Sequence, residues 1–424
     1  MSESRRFESL DGWLQWLATL HPKQIDMSLG RVNGVLAALG IEDPPYRVIT
    51  VAGTNGKGSC VALLEAIYLA AGYSVGAFTS PHLTRFNERI RCGGRDVDDE
   101  SLIEVFELID LARGELTLSY FEASAVAAML HFARAGVDVA LLEVGMGGRL
   151  DAVNAVDADA ALIVSIDLDL MDWLGPDRDA IGREKAGIVR DGQPVVVADP
   201  DPPEGLIDEI RLRGGRALMI GADFNVEPVG DELSYRGRTQ TPRRFPRPAF
   251  GGPIQLVNAA ASIAIVDSMR AALPVAEAEI ATGLASARLK GRFECVSVGE
   301  TQWIFDVAHN PASALLFRAA LDELKPVSRT IAVFGAMGDK DLEAVVGRFV
   351  SSVDAWFVGG IDSERGANPE DLALLLNRLG ARDVSIFADV AQAARAARER
   401  PADRVLVFGS FYTVGPAFDV IELY

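Results

Sequence analysis

Hydrophobic positions along this chain follow two alternating rhythms. Short continuous runs, YRVITVAG, SVGAFTS, VDVALLEVG, DAALIVSID and QPVVVAD, read as strands buried on both faces. Between them lie longer segments with apolar residues at helical spacing. SCVALLEAIYLAAG is one, ended by Gly72, and ESLIEVFELIDLAR and EASAVAAMLHFARAG are two more. Near the start, Phe7, Leu10, Leu14 and Leu17 recur as one helix face. Strands alternating with helices predict an α/β fold with a mostly parallel sheet, whose ligands gather at the carboxyl ends of the strands.

Around residues 221–248 the rhythm changes. FNVEP and LSYRGRTQ predict short antiparallel strands, TPRRFPRPAFGGP a Pro/Gly/Arg loop, and IQLVNAAASIAIVDSMRAAL a helix. A second α/β series follows, with strands at WIFDVA, RTIAVFGAM, DAWFVGG, VSIFAD and RVLVFGS. The boundary falls near ARLKGRFE, which predicts an N-terminal domain at 1–287 and a C-terminal, Rossmann-like domain at 288–424.

Composition narrows the function. With 49% hydrophobic and 24% charged residues the chain is an ordinary globular protein. A net charge of −19 argues against a nucleic-acid partner, which needs a basic face. Cys60, Cys92 and Cys295 share no metal or redox spacing and read as reduced thiols, Cys60 as a buried helix residue. The start lacks the apolar core of a signal peptide, and no run is long enough to span a bilayer. A soluble, cytoplasmic protein is expected.

The chemistry begins at VAGTNGKGSC, residues 51–60, between the first strand of the sheet and its helix. A phosphate-binding loop normally reads G-x-x-x-x-G-K-[S/T]; here Val51 replaces the first glycine and Gly58 the hydroxyl residue. The strand–loop–helix setting still presents free N–H groups and the helix dipole to an anion. Lys57 is placed to reach terminal phosphates, and Ser59 to hold magnesium with Gly58 as a spacer.

Other candidates lie at strand ends. Glu143 closes a strand in LLEVGMGGRLDAVN and suits magnesium, or a carboxylate bonded to loop N–H groups. Ser80 opens SPHLTRFNERI as a second metal hydroxyl, with His82 ordering that loop. Lys185 in GREKAGIVR, taken alone, reads as a solvated helix face. Asp306 in FDVAHNPAS either binds a ribose hydroxyl pair or caps the following helix. Arg292 at the domain boundary suits a phosphate. No Ser/His/Asp or zinc arrangement is visible among the four histidines.

Together HPKQIDMSLGRV, VAGTNGKGS, TSPHLTRFNERI, SYFE, LLEVGMGGRLDAVN, DWLGPDRDAIGREKAGIVR, FDVAHNPAS and GSFYTVG resemble the folylpolyglutamate synthase/dihydrofolate synthase family of the Mur-ligase superfamily. They cover nearly the whole chain. The resemblance implies an ATP-dependent ligase of folate biosynthesis and one-carbon metabolism, forming an acyl phosphate that the glutamate amine attacks. It implies ATP and magnesium as cofactors, with a monovalent cation beside them, pteroate or folate and L-glutamate as substrates, and a monomer. It places ATP on Thr54, Asn55, Gly56, Lys57, Gly58 and Ser59, with Asn258, Arg292 and Asp306 on adenosine and phosphate. Metal ligands become Ser59, Ser80, Glu143 and Lys185, the last as its carbamate. Asp26, Tyr120, Phe121, Leu150, Asp151 and Ala152 correspond to pterin-side contacts, and His309 and Ser410 to the incoming glutamate. Lys57, Glu143, Lys185 and His309 would carry catalysis.

One position departs from the family pattern. D-H-x-D-W-L-G is usual, and this chain reads DLMDWLG, with Leu170 in place of a metal-ligand histidine. The expectation is a second magnesium site weakened, or rebuilt with water or with Asp167, Asp169 or Asp172. Competing readings are a folylpolyglutamate synthase without the second activity and a nucleotide-binding paralogue impaired at Leu170. A muramoyl-peptide ligase would need a uridine-binding domain before Val51.

Overall fold

The computed structural model describes residues 6–23, 26–168, 171–239 and 241–421. It divides into two compact units, Met1–Ala249 with Leu256–Ala287, and Phe250–Gln255 with Arg288–Tyr424.

The first unit is built on an eight-stranded sheet. Its strands in chain order are β1 (Arg47–Ala52), β2 (Val75–Phe78), β3 (Ile90–Cys92), β4 (Arg95–Asp96), β5 (Val139–Glu143), β6 (Ala160–Ile163), β7 (Pro194–Val197) and β8 (Arg216–Met219). They lie in the order β4-β3-β2-β5-β1-β6-β7-β8. From β2 to β8 every pairing is parallel, while β3 and β4 add an antiparallel edge. The central strands β1, β2, β5 and β6 are apolar and nearly wholly buried, as a sheet with helices on both faces requires. A small antiparallel sheet, β9 (Asn225–Val229), β10 (Glu232–Arg236) and β11 (Arg243–Pro246), has β10 in the middle.

The second unit carries β12 (Glu294–Val298), β13 (Thr301–Asp306), β14 (Thr330–Phe334), β15 (Ala355–Gly359), β16 (Val384–Phe387) and β17 (Arg404–Phe408) in the order β12-β13-β17-β14-β15-β16. All its pairings are parallel except β12 with β13. Its core gathers Phe317, Phe334, Phe349, Trp356 and Phe408.

The α/β class and the parallel sheets are those the alternation requires. Four differences are local. The segment TPRRFPRPAFGGP, expected as a loop, contains β11, which tolerates Pro246 because it is an edge strand. The long helix run from Ile254 stops at Ser268, short of the apolar residues beyond it. Strands β3 and β4, and β8 and β12, lacked a continuous apolar signal because they are short or partly exposed edges. At the start, Trp13 rather than Leu14 joins Leu10 and Leu17 in the core, stacking on Phe106.

Glycine sets one packing distance that matters downstream. The helix Lys57–Ala70, which follows β1, lies against Glu277–Ser286 so closely that a Cβ on Gly283 would sit 2.5 Å from Ile67 Cα. Backbone cannot yield as a side chain can. Gly283→Val should therefore lower unfolding stability by about 1–3 kcal/mol, read as a fall in the urea midpoint at unchanged slope. An unchanged midpoint would contradict this packing.

Candidate functional site

The loop after β1 needs two unusual backbone conformations, and glycine supplies both. Gly53 has φ of +150° and Gly56 φ of +93°. A Cβ on Gly56 would lie 2.9 Å from both Asn258 Oδ1 and Val164 Cγ1, and one on Gly53 3.2 Å from the backbone nitrogens of Val164 and Ser165. The residues after β6 hold the loop from its far side. Ser165 Oγ accepts from Asn55 N–H at 3.1 Å and donates to Asn55 O at 3.0 Å, and Thr54 Oγ1 accepts from Asp167 N–H at 3.0 Å. Gly56 then begins the helix Lys57–Ala70 with no side-chain cap, so the arrangement suits an anion at this helix start.

Two lysines converge here. Lys57 Nζ donates to Gly53 O at 3.0 Å and to Thr54 O at 3.3 Å, while Lys185 Nζ donates to the same Gly53 O at 2.9 Å. Lys185 is only 4% exposed, so the solvated-helix reading of it is overturned. The polar helix Arg178–Ala186 is buried on this side because Gly148 and Gly187 let another loop press against its end. Glu143, 5% exposed at the end of β5, accepts from Ser80 N–H at 3.1 Å, and a Cβ on Gly58 would lie 3.6 Å from its Oε2. Ser59 and Asn258 are buried in the same region, as is Cys60, whose thiol burial pushes up to about 12. His82 accepts from Arg89 at 2.8 Å across the Ser80 loop, and burial with that guanidinium pushes it down to about 4.

The loop 145–151 forms an adjoining wall. Asp151 takes N–H groups of Met146 at 2.8 Å and Val153 at 3.1 Å and caps the short turn Ala152–Ala155. Burial pushes its carboxyl up to about 6 against those N–H groups and Lys57. The Phe121 ring lies where a Cβ on Gly145 would be, 2.5 Å away, while Tyr120 packs edge-on to Phe86. Leu150 is half-buried and Ala152 buried beside Asp151. Asp26 reaches this wall through partners that sequence reading had not singled out. His21 meets its carboxylate at 3.2 Å, and Arg31 joins it at 3.2 Å to Glu122 at 2.8 Å. Glu122 in turn accepts from Ser119 N–H, closing the cap of the helix that carries Tyr120 and Phe121. Their signal was present in S-x-x-E at 119–122.

In the second unit Arg292, Asp306, His309 and Ser410 gather near the carboxyl ends of the adjacent strands β13 and β17. Asp306 accepts N–H groups of Phe293 at 2.9 Å and Ala308 at 2.8 Å. It does not cap the next helix; Asn310 does, accepting from Ser313 N–H at 2.8 Å. Burial pushes Asp306 up to about 6, opposed by Arg292, whose guanidinium lies 5.2 Å over the Phe411 ring. His309 Nδ1 meets Val307 O at 2.8 Å, and Ser410 Oγ accepts from Tyr412 N–H at 3.1 Å.

Leu170 and Asp169 lie outside the described residues. Among the described residues no three His, Cys, Asp or Glu side chains cluster as a metal cage. One carboxylate with nearby hydroxyls is a donor set that fits magnesium carried in by nucleotide phosphates. No helix among the described residues is long and apolar enough to cross a membrane.

The chain is similar to known proteins along its length. Residues 291–411 match the family described as Mur ligase, glutamate ligase domain. The dihydrofolate synthase/folylpolyglutamate synthase of Escherichia coli K12 is 42% identical over 97% of this chain and 96% of its own. The same-named protein of Bacillus subtilis is 32% identical over 81% and 83%. Among solved structures, E. coli FolC in complex with DHPP and ADP is 40% identical, covers 99% of both chains and superposes with a TM-score of 0.92. A bifunctional folylpolyglutamate synthase/dihydrofolate synthase with Mn, AMPPNP and L-glutamate bound is 36% identical over the full length of both chains, with a TM-score of 0.90. Fold and loop thus define an ATP-dependent ligase of the Mur type. Within that class, the chain belongs to the dihydrofolate synthase/folylpolyglutamate synthase family.

The buried carboxyl of Asp306 makes stability depend on pH in a known direction. Its folded value, raised above the ordinary 3.8 to about 6, contributes stability at low pH that is lost as pH rises through 6. Going from about pH 5 to about pH 7.5, the unfolding free energy of Asp306→Asn should move by about 1.4 kcal/mol in the variant's favour relative to the unsubstituted protein. Paired urea titrations at the two pH values measure this, and a constant difference would refute it.

Proposed function

We propose that this chain joins L-glutamate to dihydropteroate and then to the γ-carboxylate of reduced folates, each time through an acyl phosphate made from ATP. The observation that carries the reading is the convergence of Lys57 and Lys185 on Gly53 O beside Glu143 and Ser80. A carboxylate is a poor electrophile. Transfer of the γ-phosphoryl group to one of its oxygens gives an acyl phosphate and ADP; the glutamate amine attacks the acyl carbon, loses a proton, and phosphate leaves.

Each residue has a part in that sequence. Lys57 swings from its own loop carbonyls to the transferring phosphoryl group and offsets its charge, while Thr54 to Ser59 present N–H groups to the phosphates. Magnesium, when bound, neutralises phosphate oxygens, and Ser59, Ser80 and Glu143 would hold it. Lys185, once deprotonated, would add through Nζ to carbon dioxide and release a second proton, giving a carbamate whose oxygen would be a further ligand in place of one of two neighbouring positive charges. Asp151, Leu150, Ala152, Tyr120, Phe121 and Asp26 form the pterin wall. Asn258 adjoins the phosphate loop, and Asp306 and Arg292 offer a carboxylate and a guanidinium to ribose and phosphate. His309 and Ser410 receive the incoming glutamate. The protein works as a cytoplasmic monomer on small molecules, without nucleic acid.

Lys57→Ala should reduce glutamate-dependent ADP release at least about 100-fold with either dihydropteroate or tetrahydrofolate, at unchanged melting temperature. Stimulation by neither pterin in the unsubstituted protein would overturn the substrate assignment. Restoring histidine at Leu170 should lower the magnesium concentration for half-maximal turnover; an unchanged titration would remove Leu170 from the metal account.

A further inference from the structure

Beside β8, the edge strand of the large sheet, lies a cavity of about 830 Å³, enough for a mononucleotide-sized molecule. Its walls come from β8, from β10 of the small sheet and from the C-terminal end of the helix Ile254–Ser268. No residue placed at the phosphate loop or the pterin wall lines it.

Arg216, Arg238, Arg243 and Arg270 line this cavity against Asp223, Asp267 and Glu277. Most of the acidic charge is already engaged. Asp267 is ion-paired with Arg243, and Glu277 lies 3.8 Å from the same guanidinium. Arg243 is fixed further by the rings of Tyr235 at 4.9 Å and Phe245 at 5.6 Å. Asp223 accepts from Met219 N–H at 2.9 Å and stands 3.9 Å from Arg238. Arg216 and Arg270, both exposed, enter no ion pair among the described residues. In a chain of net charge −19, this concavity reverses the prevailing sign.

We propose that the cavity is a second binding site, separate from the ligase site, for a small anion with at least two acidic groups. Arg216 and Arg270 grip those groups in the planar, forked manner that suits carboxylate and phosphate alike, over a floor fixed by Arg243 and Tyr235. Two sources offer this chemistry, a γ-linked glutamyl chain and a phosphate compound.

The test is calorimetric titration of the full chain loaded with one equivalent of a non-hydrolysable ATP analogue, so that the phosphate loop is filled and no excess nucleotide competes for the cavity. Pyrophosphate and γ-linked triglutamate are the two probes, used separately. The unsubstituted protein should bind at least one with one equivalent, and the probe that binds identifies the acidic group. The double variant Arg216→Gln/Arg270→Gln should bind that probe at least tenfold more weakly, while keeping its melting temperature and its turnover of ATP, glutamate and dihydropteroate with neither probe added. Equal affinity in the double variant, or no binding of either probe at millimolar concentration, overturns the site.

Discussion

The phosphate loop depends on one peptide oxygen. Gly53 O accepts an ammonium donor from the loop's own Lys57 and another from Lys185, more than a hundred residues along the chain. The peptide is held where it is because Gly53 adopts a φ that side-chain-bearing residues rarely reach, close against Val164 and Ser165. One carbonyl therefore ties the first strand, the end of β6 and the helix Arg178–Ala186 into a single arrangement.

The same helix also holds the loop 145–151. Arg149 N–H donates to Glu184 O at 2.9 Å, and Asn154 Nδ2 donates to Arg149 O and Gly187 O at 3.0 and 3.1 Å. Gly148 approaches Glu184 O so closely that a Cβ would lie 2.7 Å from it. Lys185 and Asp151 thus rest on the same set of loop–helix contacts. Arg31 extends the support by joining Asp26 to Glu122 at the start of the helix bearing Tyr120 and Phe121.

Much of this was legible in the sequence, for physical reasons. Continuous apolar runs betray parallel strands because both sheet faces are covered, and glycines beside a strand end mark a loop that side chains would block. Lys185 was not legible from its own helix, whose polar composition points to solvent; its burial comes from glycines in a loop some forty residues earlier. Arg31 and Glu122 form a pair 91 residues apart, which no local pattern reports. Asp306 and Asn310 are both reasonable caps by composition, and only the chain's path decides for Asn310. Strands β3, β4, β8 and β12 were missed because a short or half-exposed strand carries little hydrophobic signal.

The displaced hydroxyl of the loop now has a spatial meaning. Gly58 and Ser59 are consecutive helical residues, so their side-chain directions differ by about 100° around the axis. The direction from Gly58 leads to the Glu143 carboxylate, which a Cβ there would approach to 3.6 Å. Glycine leaves that approach open, while the hydroxyl one residue later stands on a different side of the helix start. A loop with its hydroxyl at position 58 would set that group directly before Glu143. The departure from the usual loop is therefore a change in the direction in which the hydroxyl is presented, made by removing one side chain.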